Sequence, residues 1–267
     1  MSFELGPAIL FCPADRPERY DKAAARADAV ILDLEDAVAA ADKPAAREAL
    51  LEHRLDPATT IVRVNGFETE HFELDLAVLR ATDYRTVMLP KATSRAQLGS
   101  LRGFDVVALC ETAAGILNAR EIAEVEHVVA LMWGAEDLVA SLGGTSSRRD
   151  GRYRDVPRQA RSAVLLAGAA SDVAVIDAVF MDIANLDGLA EEAQDAAASG
   201  FAATACIHPS QVETIRQAYA PTPEQVADAQ ALLDAAAHER GAFSFRGRMV
   251  DEPVLRHART LLARARM

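Results

Sequence analysis

The sequence predicts an α/β protein: a (β/α)8 TIM barrel over residues 1–220, followed by a helical and strand-bearing extension over residues 221–267. Three observations carry this expectation. Eight short apolar runs rich in Val, Ile, Leu and Ala recur along the chain without strict alternation, as strands buried on both faces do. Between them lie stretches in which Ala and Leu return at helical spacing among charges. No GxGxxG or GxxxxGK[ST] follows any run, which disfavours a doubly wound nucleotide-binding sheet and leaves the barrel, a fold of about 250 residues.

The elements follow in order. PAILFCP (7–13) precedes the helix-like RPERYDKAAARA, and AVILDLED (29–36) precedes KPAAREALLEHR. TTIVRVN (59–65) pairs with EHFELDLAVLRA, TVMLPK (86–91) with RAQLGSLRG, and VVALCET (106–112) with NAREIAEVEH. VVALMWGAED (128–137) leads into a glycine-rich basic loop, GGTSSRRDGRYRD (143–155), and then into RDVPRQARSAVLLAGAA. DVAVIDAVF (172–180) with LDGLAEEAQDAAASG, and ATACIHP (203–209) with QVETIRQAYA, complete eight units. PTP (221–223) then breaks the chain before a polar, Ala-rich helix running to about Gly241. FSF and MVD are strand-like, and VLRHARTLLARARM is an amphipathic helix. From Arg240 onward there are seven arginines and two acids, so this tail is expected to pack on an acidic face and to serve as a lid or arm.

Composition narrows the function. Half the residues are hydrophobic, yet aromatics are only 5%, which suits a core of small aliphatic side chains under helices. A net charge of −12 argues against a general nucleic-acid binder, since phosphate neutralisation needs a basic surface. Cys12, Cys110 and Cys206 show neither CxxC spacing nor an even count, so a disulfide framework and a zinc knuckle are not expected. No basic leader opens the chain and no run approaches the roughly 18 apolar residues of a membrane span, so a soluble cytoplasmic protein is expected.

Parallel strands deliver their last residues to one edge, and ligands bind beyond that edge. Glu111 and Asp137 close the fifth and sixth runs, where two carboxylates could share a cation. Mg²⁺ suits such a pair, because it keeps several waters and needs one or two protein carboxylates, whereas zinc would want His or Cys. Arg63 lies near the end of the third strand and requires a counter-charge, either an anionic substrate or one of Asp33, Glu35 and Asp36. Lys91 has the same two readings. In LDLED, Asp33 and Glu35 share one face and Asp36 takes the other; all three are expected to support Arg63, Lys91 or metal-bound water rather than to touch a metal. His208 before Pro209 is either an acid–base group or a hydrogen-bonded turn residue, and a supporting role is expected. The basic loop could bind phosphates or be solvated.

Several motifs in succession resemble the citrate lyase beta-subunit family of CoA-ester lyases, within the superfamily that includes malyl-CoA lyases and metal-dependent pyruvate aldolases. They are LFCPADRPERYDKAAARADAVILDLEDAV with DKPAAR, then VRVN, MLPKA, ALCET, MWGAEDL, GFAATACIHPSQ and GRMVDEPVLRHA, which together span nearly the whole chain. The resemblance implies that Glu111 and Asp137 ligate Mg²⁺ and that Arg63 binds the carboxylate of a keto-acid portion. It implies a homotrimer in which the C-terminal segment covers a neighbour's site and supplies Asp251 as the acid–base group. It also implies that Arg16 helps hold the CoA thioester or its phosphates. Cys12 departs from the valine common in relatives and leaves these residues untouched.

The implied reaction cleaves a 3-hydroxyacyl-CoA of the citryl, malyl or citramalyl kind to acetyl-CoA and a keto acid. A metal would acidify the hydroxyl and an enolate would leave, in reversible Claisen-type chemistry. The alternatives are a metal-dependent aldolase releasing pyruvate from a free hydroxy acid and a non-catalytic CoA-ester-binding subunit of a larger lyase.

Overall fold

The structure, a computed structural model, describes residues 5–239 and 241–265. It divides into two compact units, Met1–Ile215 and Arg216–Met267. In the first, eight parallel strands close a barrel: β1 (Ala8–Pro13), β2 (Ala29–Asp33), β3 (Thr60–Arg63), β4 (Thr86–Leu89), β5 (Asp105–Cys110), β6 (Val128–Trp133), β7 (Ala174–Asp177) and β8 (Ala203–Cys206). Each strand pairs with its sequence neighbours, and β8 closes on β1. The predicted barrel is the fold found.

Side chains alternate along a strand, so every second residue points into the barrel. Ile9, Ile31, Ile61, Met88, Leu109, Met132 and Ile176 belong to the buried cluster that fills it. Stepping two residues further from Ile31, Ile61, Leu109 and Met132 reaches Asp33, Arg63, Glu111 and Gly134. The same periodicity that packs the barrel with aliphatic groups thus brings polar groups to its carboxyl-terminal mouth. The register pairs Asp33 with Arg63 directly.

Local structure departs from the sequence expectation in places, each for a visible reason. The strand-like run to Asp137 ends at Trp133: Gly134 turns the chain and Ala135–Ser141 is helical, so Asp137 lies in the first turn of a helix rather than at a strand end. The helix expected over NAREIAEVEH is preceded by a separate short helix, Ala113–Leu117, capped by the Thr112 hydroxyl; the second, Ala119–Ala123, starts after Asn118. The basic loop contains a two-stranded hairpin, Arg148–Arg149 with Arg152–Tyr153. Asp150 and Gly151 both have positive φ, as a two-residue turn compatible with strand twist demands.

In the second unit, Thr222 and Gln225 form a reciprocal capping box that starts the helix Pro223–Ala236. The hairpin Phe243–Phe245 with Arg248–Val250 turns at Arg246 and Gly247, both at positive φ, and the helix Glu252–Arg264 follows. Part of the basic charge is balanced within this unit: Arg246 pairs with Asp228 at 2.5 Å and Arg259 with Glu252 at 2.7 Å. Arg240 lies outside the described residues. Among the described residues no helix is long and apolar enough to cross a membrane.

Candidate active site

A cavity of about 250 Å³ opens at the carboxyl-terminal end of the barrel. Phe11, Leu109, Met132 and Ile207 give it apolar walls, while Asp33, Arg63, Glu111, Glu136 and Asp137 supply charge.

Arg63 is mostly buried. Its Nε donates to Asp33 Oδ1 at 2.7 Å and its Nη2 to Asp33 Oδ2 at 2.6 Å, a bidentate pair. Nη1 lies 3.0 Å from Glu35 Oε2, yet that oxygen has no well-aligned donor. The guanidinium also packs 4.9 Å from the centre of the Phe11 ring. Two of its five N–H groups are committed to Asp33, which fixes the plane and leaves others to receive an anion. Both sequence readings of Arg63 are therefore compatible: it has an internal counter-charge and it faces the cavity. Asp33 further accepts the backbone N–H groups of Glu35 at 2.9 Å and Ala37 at 3.1 Å, so one carboxylate shapes the loop and orients the arginine together.

Glu111 is 3% exposed. Burial, then the charges of Asp137 and Glu35, push its carboxyl up to about 8 against the opposing pull of Arg63 and Lys91. Its Oε1 accepts the backbone N–H of Lys91 at 3.1 Å. Lys91 has φ 51°, a left-handed conformation uncommon for a residue with a side chain, and this aims its amide at Glu111. The Lys91 ammonium lies 2.5 Å from Glu35 Oε1, 3.4 Å from Asp36 Oδ2 and 3.7 Å from Asp137 Oδ1. It thus bridges the acids of the loop after β2 to Asp137 on the helix that follows β6. Its own desolvation lowers its pKa, but Glu35, Glu111 and Asp36 outweigh that and raise it.

Gly134, missed by the sequence reading, makes room for this arrangement. A Cβ there would stand 2.7 Å from Glu111 Oε2 and 3.0 Å from Glu111 Cβ. Its place directly after a buried strand was the available signal. Also missed was a buried network behind the LDLED loop. Lys43 donates to the carbonyls of Leu34 and Glu35, both at 2.8 Å, and to Asn65 Oδ1 at 2.6 Å; Asn65 in turn donates to Asp75.

Other expected residues stand apart from the cluster. Among the described residues, the exposed Asp36 meets the cluster through Lys91. Arg16 is exposed on the loop after β1, its Nε 3.3 Å from Asp15. His208 takes the turn reading: its Nδ1 accepts the Ser210 N–H at 3.2 Å and caps the short turn Pro209–Gln211. Asp251 is the N-cap of Glu252–Arg264, accepting from the Val254 N–H at 3.4 Å. All three cysteines are buried, and burial raises Cys12 to about 11 and Cys110 to about 12, so neither offers a thiolate near neutral pH.

Glu111 and Asp137 fit a hard divalent cation. Glu111 is a buried carboxylate that its own neighbours leave short of positive charge, and Asp137 faces the same cavity. Among the described residues no group of three or more His, Cys, Asp or Glu side chains is arranged to hold a metal. Two carboxylates completed by water and ligand oxygens is the pattern of Mg²⁺.

Residues 8–209 match the family model described as HpcH/HpaI aldolase/citrate lyase. The chain belongs to that family, and is thus a lyase. A citrate lyase subunit beta-like protein of Mycobacterium tuberculosis is 58% identical over 261 residues, 97% of this chain and 96% of the relative. A crystal structure of CitE from that organism, in complex with magnesium, acetoacetate and coenzyme A, superposes with a TM-score of 0.95 at 57% identity, covering 98% of each chain. Human mitochondrial citramalyl-CoA lyase is 30% identical over 294 residues, 97% of this chain and 85% of the relative.

Proposed function

We propose that this lyase is Mg²⁺-dependent and cleaves a 3-hydroxyacyl-CoA bearing a carboxylate on its hydroxyl carbon, of the citryl, malyl or citramalyl kind, to acetyl-CoA and a keto acid. The observation that carries this reading is the convergence of Arg63, Glu111 and Asp137 on one small cavity with apolar walls. Its relatives supply the ligand chemistry: a CitE bound to magnesium, a keto acid and coenzyme A, and a citramalyl-CoA lyase.

Arg63 receives the substrate carboxylate on the N–H groups that Asp33 leaves free. Glu111 and Asp137 would hold Mg²⁺, which when bound would supply a Lewis acid that favours loss of the substrate's hydroxyl proton. Asp251, reaching in from a neighbouring copy of a homotrimer, accepts the hydroxyl proton directly or through water. The hydroxyl carbon becomes the keto carbon as its bond to the adjacent CH₂ breaks. That electron pair passes into the thioester as an enolate, whose carbon takes back the proton held by Asp251 or its water to give acetyl-CoA. Arg16 stabilises the thioester end or the CoA phosphates. Asp33, Glu35, Asp36 and Lys91 keep the charges in balance around the cavity. Run backwards, the sequence is a Claisen-type condensation.

The test is a panel of citryl-, malyl- and citramalyl-CoA beside the corresponding free hydroxy acids, with products identified by mass spectrometry. Acetyl-CoA release from a thioester that stops on chelation is expected. Turnover of free acids alone would replace the reading with an aldolase, and CoA-ester binding without any turnover would make the protein a binding subunit.

A further inference from the structure

We propose that Lys43 is a positioning residue for the keto-acid site: its ammonium ties the loop after β2 to the loop after β3, holding Glu35 and Arg63 in register. The inference rests on the reading that Arg63 receives the substrate carboxylate.

Lys43 is 8% exposed, and all three of its ammonium hydrogens are used, on Leu34 O, Glu35 O and Asn65 Oδ1. Leu34 and Glu35 belong to the loop whose carboxylate stands 3.0 Å from Arg63 Nη1 and 2.5 Å from the Lys91 ammonium. Asn65 lies two residues beyond Arg63, and its own amide donates back to Leu34 O at 3.0 Å. One cation therefore joins the two segments that carry the guanidinium and its carboxylate neighbour. Asp75, fully buried, anchors the far side by accepting from the Asn65 backbone at 2.8 Å, from its side chain at 2.7 Å and from Arg47 at 3.0 Å.

The placement runs against local stability. Lys43 is the first residue of the helix Lys43–Glu52, whose first turn holds no acid. A helix amino terminus carries partial positive charge, so a buried cation there is disfavoured by the helix itself. Residues that break a local rule while their surroundings over-determine them mark functional constraint. Here the surroundings are the loop carbonyls, and the gain is a fixed distance between β2 and β3 at the mouth.

The experiment compares the full chain with Lys43→Met, Arg47→Met and Arg63→Met. Pyruvate is titrated by calorimetry in saturating MgCl₂, MgCl₂ is titrated alone, and hydrogen exchange is followed over residues 34–38. For Lys43→Met we expect pyruvate affinity to fall at least about tenfold, the scale of lost supporting contacts, and exchange over 34–38 to accelerate. Mg²⁺ affinity should stay within about twofold, because Glu111 directly follows β5 and Asp137 lies on the helix Ala135–Ser141, and the Lys43 ammonium bonds neither. Arg47→Met removes a partner of Asp75 without touching a loop carbonyl; it should lower the Tm and leave pyruvate binding unchanged. Wild-type pyruvate affinity and exchange in Lys43→Met would overturn the proposal. So would equal losses of pyruvate affinity in Lys43→Met and Arg47→Met, which would mark a general structural role. If Arg63→Met binds pyruvate as well as wild type, the reading of Arg63 fails and takes the keto-acid role of Lys43 with it; exchange over 34–38 then decides the tether alone. Should Lys43→Met not fold, Lys43→Gln carries the same expectations.

Discussion

Gly134 lies against Glu111 so closely that the hydrogen it carries in place of a side chain is what lets the carboxylate reach the cavity. Its φ of −131° is open to any residue, so space alone demands glycine. Gly134→Ala should displace Glu111 and weaken Mg²⁺ by about 10- to 100-fold while the fold persists. Calorimetric titration with MgCl₂ checks this, and unchanged affinity would refute the packing argument.

Glu111→Ala and Asp137→Ala should each abolish thioester cleavage in folded protein. Loss of Mg²⁺ binding should accompany loss of turnover. Full activity of either variant after exhaustive chelation would remove the metal from the proposed reaction.

Burial has raised the Glu111 carboxyl to about 8, so the metal-free fold prefers it protonated. The contribution of this group to stability is complete below the ordinary carboxylate range of about 4.3 and is lost as pH rises through about 8. Metal binding requires the ionised form, so apparent Mg²⁺ affinity should climb across the same interval and level off above it. Tm curves with EDTA and with MgCl₂ should therefore diverge from pH 5 to 9. Parallel curves would show that the two equilibria are not linked.

Subunits carrying Asp251→Ala, mixed with subunits carrying Glu111→Ala, should regain cleavage that neither has alone. A mixed assembly would contain sites with an intact metal pair and an intact Asp251. Mixing under conditions shown to exchange subunits, without recovery, would restrict Asp251 to its own chain or remove it from the reaction.

Asp177 is buried and accepts from Trp133 Nε1 at 2.6 Å and from Arg161 Nη2 at 2.8 Å. Asp177→Ala leaves the arginine without its inner partner and should destabilise the protein by about 3–5 kcal/mol. Urea unfolding measures this, and a loss below 1 kcal/mol would mean the network relaxes around the gap.

The barrel was legible because burial on both faces writes continuous aliphatic runs, and the site because polar residues interrupt those runs near the mouth. GAED prolongs an apolar run and so reads as the end of a strand carrying Asp137, and nothing in its spacing announces that Gly134 turns the chain into a helix. Arg63 had several candidate partners within LDLED; only the cross-strand register selects Asp33 for the bidentate pair, with Glu35 at its other edge. Lys43 and Asn65 are 22 residues apart, and Asn65 and Asp75 are 10 apart, separations set by tertiary packing rather than by a local pattern. In DKPAAR the lysine reads as an ordinary charged residue at a helix start, and only the carbonyls it meets reveal its use.

Trp133 is the sole tryptophan of the chain; it lines the cavity, is fully buried and stacks edge-on 5.2 Å from Tyr153 of the basic hairpin. The protein consequently carries its own optical probe. One indole, one residue from Gly134 and packed against Tyr153, is expected to change its fluorescence as the cavity fills, a signal that stopped flow would time without a label.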